Sequence, residues 1–137
     1  MLRSIMIAAL VLGVPAACAY AEGTDARWLH GVCVKSYSSA SADEQAFCIT
    51  YIEGVADLML WNCRLARERV SAGGLANEAD RKAILSLSSD PATSFVGSLG
   101  MKHAFLDWGN NHPERLKLPM AAGVIEALRE KWPCSLR

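Results

Sequence analysis

The longest patterned stretch of the chain runs from Ser41 to Cys63, SADEQAFCITYIEGVADLMLWNC. Its polar side chains Asp43, Thr50, Glu53 and Asp57 recur mostly at spacings of three, four and seven, which gathers them into one narrow stripe of a helix. Phe47, Ile49, Tyr51, Ile52, Val55, Leu58, Met59, Leu60 and Trp61 occupy the rest of the circumference. Such a pattern predicts a helix buried on most of its faces, the centre of a small helical domain. Ser41 followed three residues later by Glu44 fits a capping box at its start.

On either side the same periodicity predicts shorter helices. Trp28, Leu29, Val32 and Cys33 mark a first helix over residues 25–37, with Thr24 or Asp25 as its N-cap. The central helix extends through Arg64, Arg67, Glu68 and Arg69 until Ser71-Ala72-Gly73-Gly74 stops it. Asn77 caps a third helix, Glu78 to Leu87, and Asp90 followed by Pro91 opens a fourth. The fourth carries Phe95, Val96, Leu99, Phe105, Leu106 and Trp108, with a break expected near Gly100, and ends at Gly109-Asn110-Asn111. Leu118, Ala121, Val124, Ile125, Leu128 and Trp132 define a fifth helix reaching about Lys131, with Pro119 at its first turn or kinking it. No strand pattern, repeat or low-complexity tract competes, so the expected fold is all-α: a small disulfide-braced bundle of about five helices around a central buried one.

Composition adds a compartment. The N-terminus, MLRSIMIAALVLGVPAACAYA, has one arginine, an apolar run and the small-x-small triplet Ala19-Tyr20-Ala21, which reads as a secretory signal peptide over residues 1–21. The run is short for a membrane span and carries Pro15, which also argues against Cys18 as an acylated lipoprotein cysteine. Residues 22–137 then form one domain in which 13 Lys plus Arg meet 14 Asp plus Glu. That balance offers no basic footprint for nucleic acid or an anionic membrane. Neither nucleic-acid binding nor stable membrane insertion after signal cleavage is expected, and the periplasm is the expected location.

Four cysteines remain, Cys33, Cys48, Cys63 and Cys134, and an even number in an exported chain points to two disulfides. Cys48 and Cys63 share one helix and would lie about 22 Å apart at ~1.5 Å per residue, too far for the ~7 Å limit between bonded Cα atoms. Cys33 and Cys48 flank the turn Ser38-Ser39-Ala40-Ser41 almost symmetrically, as facing positions of a helical hairpin do. The expected pairs are therefore Cys33 with Cys48 and Cys63 with Cys134.

With its thiols oxidised, the chain has no thiol nucleophile. Its histidines, His30, His103 and His112, are scattered, and only His103 with Asp107 has the i, i+4 spacing of an acid–base or metal pair, without a third ligand. No nucleophile elbow, Cys-x-x-Cys or haem-attachment motif occurs, so neither enzyme activity nor a cofactor is expected. Glu53 and Asp57 form a like-charge i, i+4 pair that a partner's cation, or a lysine or arginine of a neighbouring helix, would relieve. The segment Gly109 to Arg115, with Asn110, Asn111, His112, Glu114 and Arg115, is expected to be a short polar loop held at both ends by helices. Such a loop is a candidate contact for a protein partner.

Several motifs, in order, resemble the Rap/Tai family of type VI secretion immunity proteins. They are Phe47-Cys48, Tyr51-Ile52-Glu53-Gly54-Val55-Ala56-Asp57, Cys63, His112-Pro113-Glu114, Ala122 through Val124, Ala127-Leu128 and Trp132-Pro133-Cys134. The resemblance implies a small periplasmic α-helical protein, usually dimeric and disulfide-braced, that binds and blocks a peptidoglycan amidase toxin and has no chemistry of its own. Asp57 and the segment His112-Pro113-Glu114 coincide with motif positions. Two departures stand out: a longer middle from Arg64 to Gly100, and Trp132 where the family more often has phenylalanine. A different class of function, a periplasmic stress or holdase-type protein that binds clients without a dedicated toxin, is the alternative.

Overall fold

A computed structural model describes residues 25–35, 42–74, 77–91 and 96–136. The expected signal peptide, Cys18, the serine-rich turn, the Ser41 half of the capping box and Phe95 lie outside the described residues. Five α-helices follow one another: α1 Ala26–Lys35, α2 Ala42–Ser71, α3 Glu78–Ser86, α4 Ser98–Asn111 and α5 Met120–Lys131. Among the described residues there is no strand, only isolated bridges between Asp25 and Pro119 and between Ser89 and Pro133.

The start of α1 shows how the bundle is knitted. A helix leaves its first N–H groups without partners. Here the Trp28 N–H donates to Asp25 Oδ1 at 2.9 Å. The N–H groups of Ala26 and Arg27 donate to the carbonyls of Leu118 and Leu116, each at 2.8 Å. The chain leading into α5 thus caps α1. Close packing follows, because a Cβ added at Gly123 of α5 would stand 2.5 Å from the Cβ of Ala26, and one at Gly109 of α4 would overlap the His30 ring. Glycine at these two positions lets α1 lie against α4 and α5 at once.

The core is apolar and aromatic: Leu29, Ile52, Met59, Phe105, Trp108, Val124 and Leu128 are buried, with the Phe105 and Trp108 rings stacked at 6.2 Å. Burial also takes in Lys102 and lowers the pKa of its ammonium group.

α2 is 30 residues long and packs against each of the other four helices. Its end is set by Gly73 at φ 73°, with the Gly73 and Gly74 N–H groups donating back to the carbonyls of Val70 and Arg69. The all-round burial expected for this helix is not found. One stripe is buried, Cys48, Ile52, Ala56, Met59, Cys63 and Ala66, while Phe47, Leu58 and Trp61 are 40%, 59% and 58% exposed. The neighbours gather on one side of α2, and a bundle this small supplies no second layer for the other.

Two further expectations are corrected. Asp90 does not cap the fourth helix, whose N-cap is Gly97. Its carboxylate meets Arg67 Nη2 at 2.5 Å and its N–H donates to the Trp132 carbonyl at 2.9 Å. Nor does α4 break at Gly100, which sits in its first turn. A single helical glycine costs about 1 kcal/mol, less than burying Phe105 and Trp108 returns. Pro119 precedes α5 as its N-cap residue and does not kink it.

Cys33 is bonded to Cys48, joining α1 to α2 with Cα atoms 5.3 Å apart, and Cys63 to Cys134, joining α2 to the segment after α5 at 5.7 Å. α3 has no buried residue of its own. Asn77 caps it by accepting from the Asp80 N–H at 2.7 Å, and Asn62 Nδ2 and Arg129 Nη1 hold its end through the carbonyls of Leu87 and Ser86.

Candidate protein-binding site

The segment Gly109 to Arg115, expected as a short polar loop held at both ends by helices, is itself largely helical. Gly109, Asn110 and Asn111 form the last turn of α4, His112 caps it, and Pro113–Arg115 is a 3-10 turn. The proline sets this geometry, since its fixed φ suits the start of a helical turn and its missing N–H leaves no orphan donor.

Every connection out of this segment leads to an ordered helix. His112 Nε2 lies 3.3 Å from Glu130 Oε2 and its Nδ1 3.9 Å from Glu114 Oε1, while its ring packs on Trp108 at 5.7 Å. Arg115 Nη2 donates to Glu126 Oε1 at 2.5 Å. The following residues cap α1 through the carbonyls of Leu116 and Leu118. A short polar turn is therefore braced against α5 by side chains and against α1 by backbone.

Beside it, α4 and α5 enclose an open cleft of about 480 Å³, lined by Asp107, Asn110, Asn111, Glu130 and Lys131 together with buried Trp108. The Trp108 Nε1 donor finds no acceptor among the described residues. Asn110, Asn111 and Glu114 are exposed. The charged residues lining the cleft are two carboxylates, Asp107 and Glu130, and one cation, Lys131. The arrangement offers hydrogen-bond donors and acceptors on a fixed backbone and presents no activated nucleophile. No group of three His, Cys, Asp or Glu among the described residues could hold a metal ion. His103 and Asp107 stand exposed on α4.

Glu53 and Asp57 belong to a different place. Glu53 accepts a hydrogen bond from Ser98 Oγ, at the beginning of α4, so its charge sits beside a helix N-terminus, which favours anions. Asp57 is exposed and lines a small cleft of about 150 Å³ with Leu60, Pro91, Val96 and Met101. Ser98 and Asn110 are separated by about 18 Å along the helix at ~1.5 Å per residue. The structure thus does not unite the two sets of candidate contacts. The roles of Glu126 and Glu130 went unread in the sequence, although two carboxylates four residues apart on the last helix are the signal by which their partners His112 and Arg115 could have been sought.

A model of the Rap1a immunity proteins matches residues 25–134, from the N-cap of α1 to the last cysteine. No curated protein and no solved structure matches the chain.

Proposed function

From the premise that the chain belongs to the Rap1a family of immunity proteins, we propose that it binds a type VI secretion effector of the peptidoglycan amidase class in the periplasm and occludes that enzyme's active site. The protein works by binding and is not an enzyme. The observation that carries the reading is the family match over residues 25–134. Two disulfides support an oxidising compartment, and an expected signal peptide over residues 1–21 would deliver the chain there.

The contact surface we propose is the end of α4 with the 3-10 turn and the adjoining cleft: Asn110, Asn111, His112, Glu114 and Arg115. A tight inhibitor gains from a surface ordered before binding, because little conformational entropy is then lost on association. The pairs His112–Glu130 and Arg115–Glu126 and the backbone bonds to α1 supply that order. Asn110 and Asn111 supply donors and acceptors of the kind a polar hydrolase cleft can engage. We also propose a homodimer, since Phe47, Leu58 and Trp61 leave an apolar face of α2 uncovered.

The test is to replace Asn111, His112 and Glu114 together by alanine and measure complex formation and protection from lysis with each exported amidase encoded beside the protein. Helical content should be unchanged, since none of the three belongs to the core. Affinity should fall at least about tenfold, or ~1.4 kcal/mol, if one of these side chains is a hot spot. Wild-type protein that binds no such amidase, and whose loss leaves cells equally resistant, would overturn the proposal.

A further inference from the structure

α3 is a helix without a core of its own. It is 9 residues long, shorter than the ~12–15 at which isolated helices begin to hold in water, so its order has to come from packing. Yet it buries no residue: Ile84 and Leu85 are half-buried, and Leu87, which follows it, is 51% exposed. Between α3 and α2 runs an open groove of about 310 Å³, with Leu65 and Ala66 on one wall and Ala83, Ile84 and Leu87 on the other. One end is closed, since Asn62 Nδ2 donates to the Leu87 carbonyl at 3.2 Å. Toward the other end, two turns further along α2, stands Arg69, the one charged residue among those lining the groove. Arg69 is exposed and takes part in no ion pair among the described residues.

We propose that this groove binds a single-chain amphiphile with an anionic head, a medium-chain fatty carboxylate. Its alkyl chain lies between the two helices and its carboxylate meets the Arg69 guanidinium. Size sets the class of ligand. The stretch from Asn62 to Arg69 is about 10 Å at ~1.5 Å per residue, about the length of an extended eight-carbon chain. The volume falls at the low end of small-molecule sites, roughly 300–1,000 Å³. Lining sets its character: five apolar side chains gain by losing water to an alkyl chain, and the Asn62 amide at the closed end already donates to a carbonyl. Charge sets the head group, because a guanidinium beside an apolar slot pairs with a carboxylate through two parallel hydrogen bonds and repels an ammonium. With the chain in place the apolar side of α3 gains the layer it lacks, so binding and the order of α3 are coupled. The proposal is independent of both the amidase and the homodimer readings above.

Calorimetric titration of the oxidised protein with octanoate and with octylammonium, both below micelle-forming concentrations, tests this. Octanoate should bind with a Kd of about 1 mM or tighter, and at least about tenfold more tightly than octylammonium. Arg69→Glu should invert that preference. Ala83→Trp, which puts an indole into the groove from an exposed position, should weaken octanoate at least about tenfold. Hydrogen exchange should show the α3 amides better protected with octanoate present, and those of α1 and α4 unchanged. Circular dichroism should show both variants folded, since Arg69 and Ala83 are exposed. If Ala83→Trp disturbs α3, the inversion by Arg69→Glu decides the matter by itself. No octanoate binding up to about 10 mM would overturn the proposal. Binding equal for the two head groups, or untouched by both variants, would place the chain on the open apolar face around Leu58 and Trp61 and overturn it too. Protection of α3 that rises with protein concentration alone, or with an amidase alone, would show a second copy or the effector in the groove, and the fatty carboxylate would be rejected.

Discussion

The two halves of α2 are held in place by different physics. From Cys48 to Met59 the helix lies in the apolar core, where Ile52, Ala56 and Met59 join Leu29, Phe105 and Leu128 in one cluster. From Asn62 onward it is pegged by polar and covalent links: Cys63 to Cys134, Arg67 to Asp90 and the Ser135 carbonyl, and Asn62 to the Leu87 carbonyl. The first half, beyond the Cys33–Cys48 bond at its start, is stabilised by volume and buried area, which tolerate changes of pH and salt. The second depends on a few specific links around a helix, α3, that buries nothing. Stability should accordingly be uneven along one continuous helix, with the α3 side opening before the core does.

The largest effect expected is in the first half. Phe105→Ala removes a fully buried ring stacked on Trp108 and should cost about 3–5 kcal/mol in denaturant unfolding. A loss below 1 kcal/mol would mean that the aromatic cluster does not anchor this half.

Next come the disulfides, which compare the halves directly. Replacing Cys63 and Cys134 by serine removes a link across a sequence separation of 71 and should cost about 4 kcal/mol, against about 3 kcal/mol for Cys33 and Cys48 at a separation of 15. Hydrogen exchange sharpens the contrast. Loss of Cys63–Cys134 should release the amides of α3 and residues 132–136 while those of α1 and α4 stay protected. Equal loss of protection across all helices would show that the bundle opens as one unit.

The smallest effect belongs to the polar peg. Asp90→Asn keeps the shape of a buried residue but leaves the half-exposed Arg67 guanidinium without its charged partner, for a loss of about 1–2 kcal/mol. Melting temperature measured against salt should depend less on ionic strength in the variant than in wild type.

Much of this was legible in the sequence because it is local. The three-to-four apolar period delivers the helices, Asn77 and Asp25 are caps acting within three residues, and Gly73 ends α2 because its left-handed φ is open to glycine at little cost. The exclusion of a Cys48–Cys63 bridge needs only the rise of a helix. The start of α4 was misjudged for the same reason it looked certain. Asp90-Pro91 is a good local helix signal, and Pro91 does lie in a 3-10 turn, but α4 itself starts only at Ser98, while Arg67, 23 residues earlier, pairs with the Asp90 carboxylate.

The candidate site divides along the same line. Composition identifies Asn110, Asn111, His112, Glu114 and Arg115 as polar, and so far it is read correctly. That the loop held between two helices is also braced along its length depends on Glu126 and Glu130 arriving from α5 and on the N-terminus of α1 needing the Leu116 and Leu118 carbonyls.

By itself, the sequence determined how many helices to expect and roughly where, which residues are apolar and which cysteines could never meet. Only the tertiary structure decided that α1 would press into the spaces left by Gly109 and Gly123, and that the apolar surface of α2 would divide into a buried stripe and an open one. Periodicity records the faces a helix possesses, whereas burial depends on how many neighbours reach it, and four helices gathered on one side leave the other to water or to a partner.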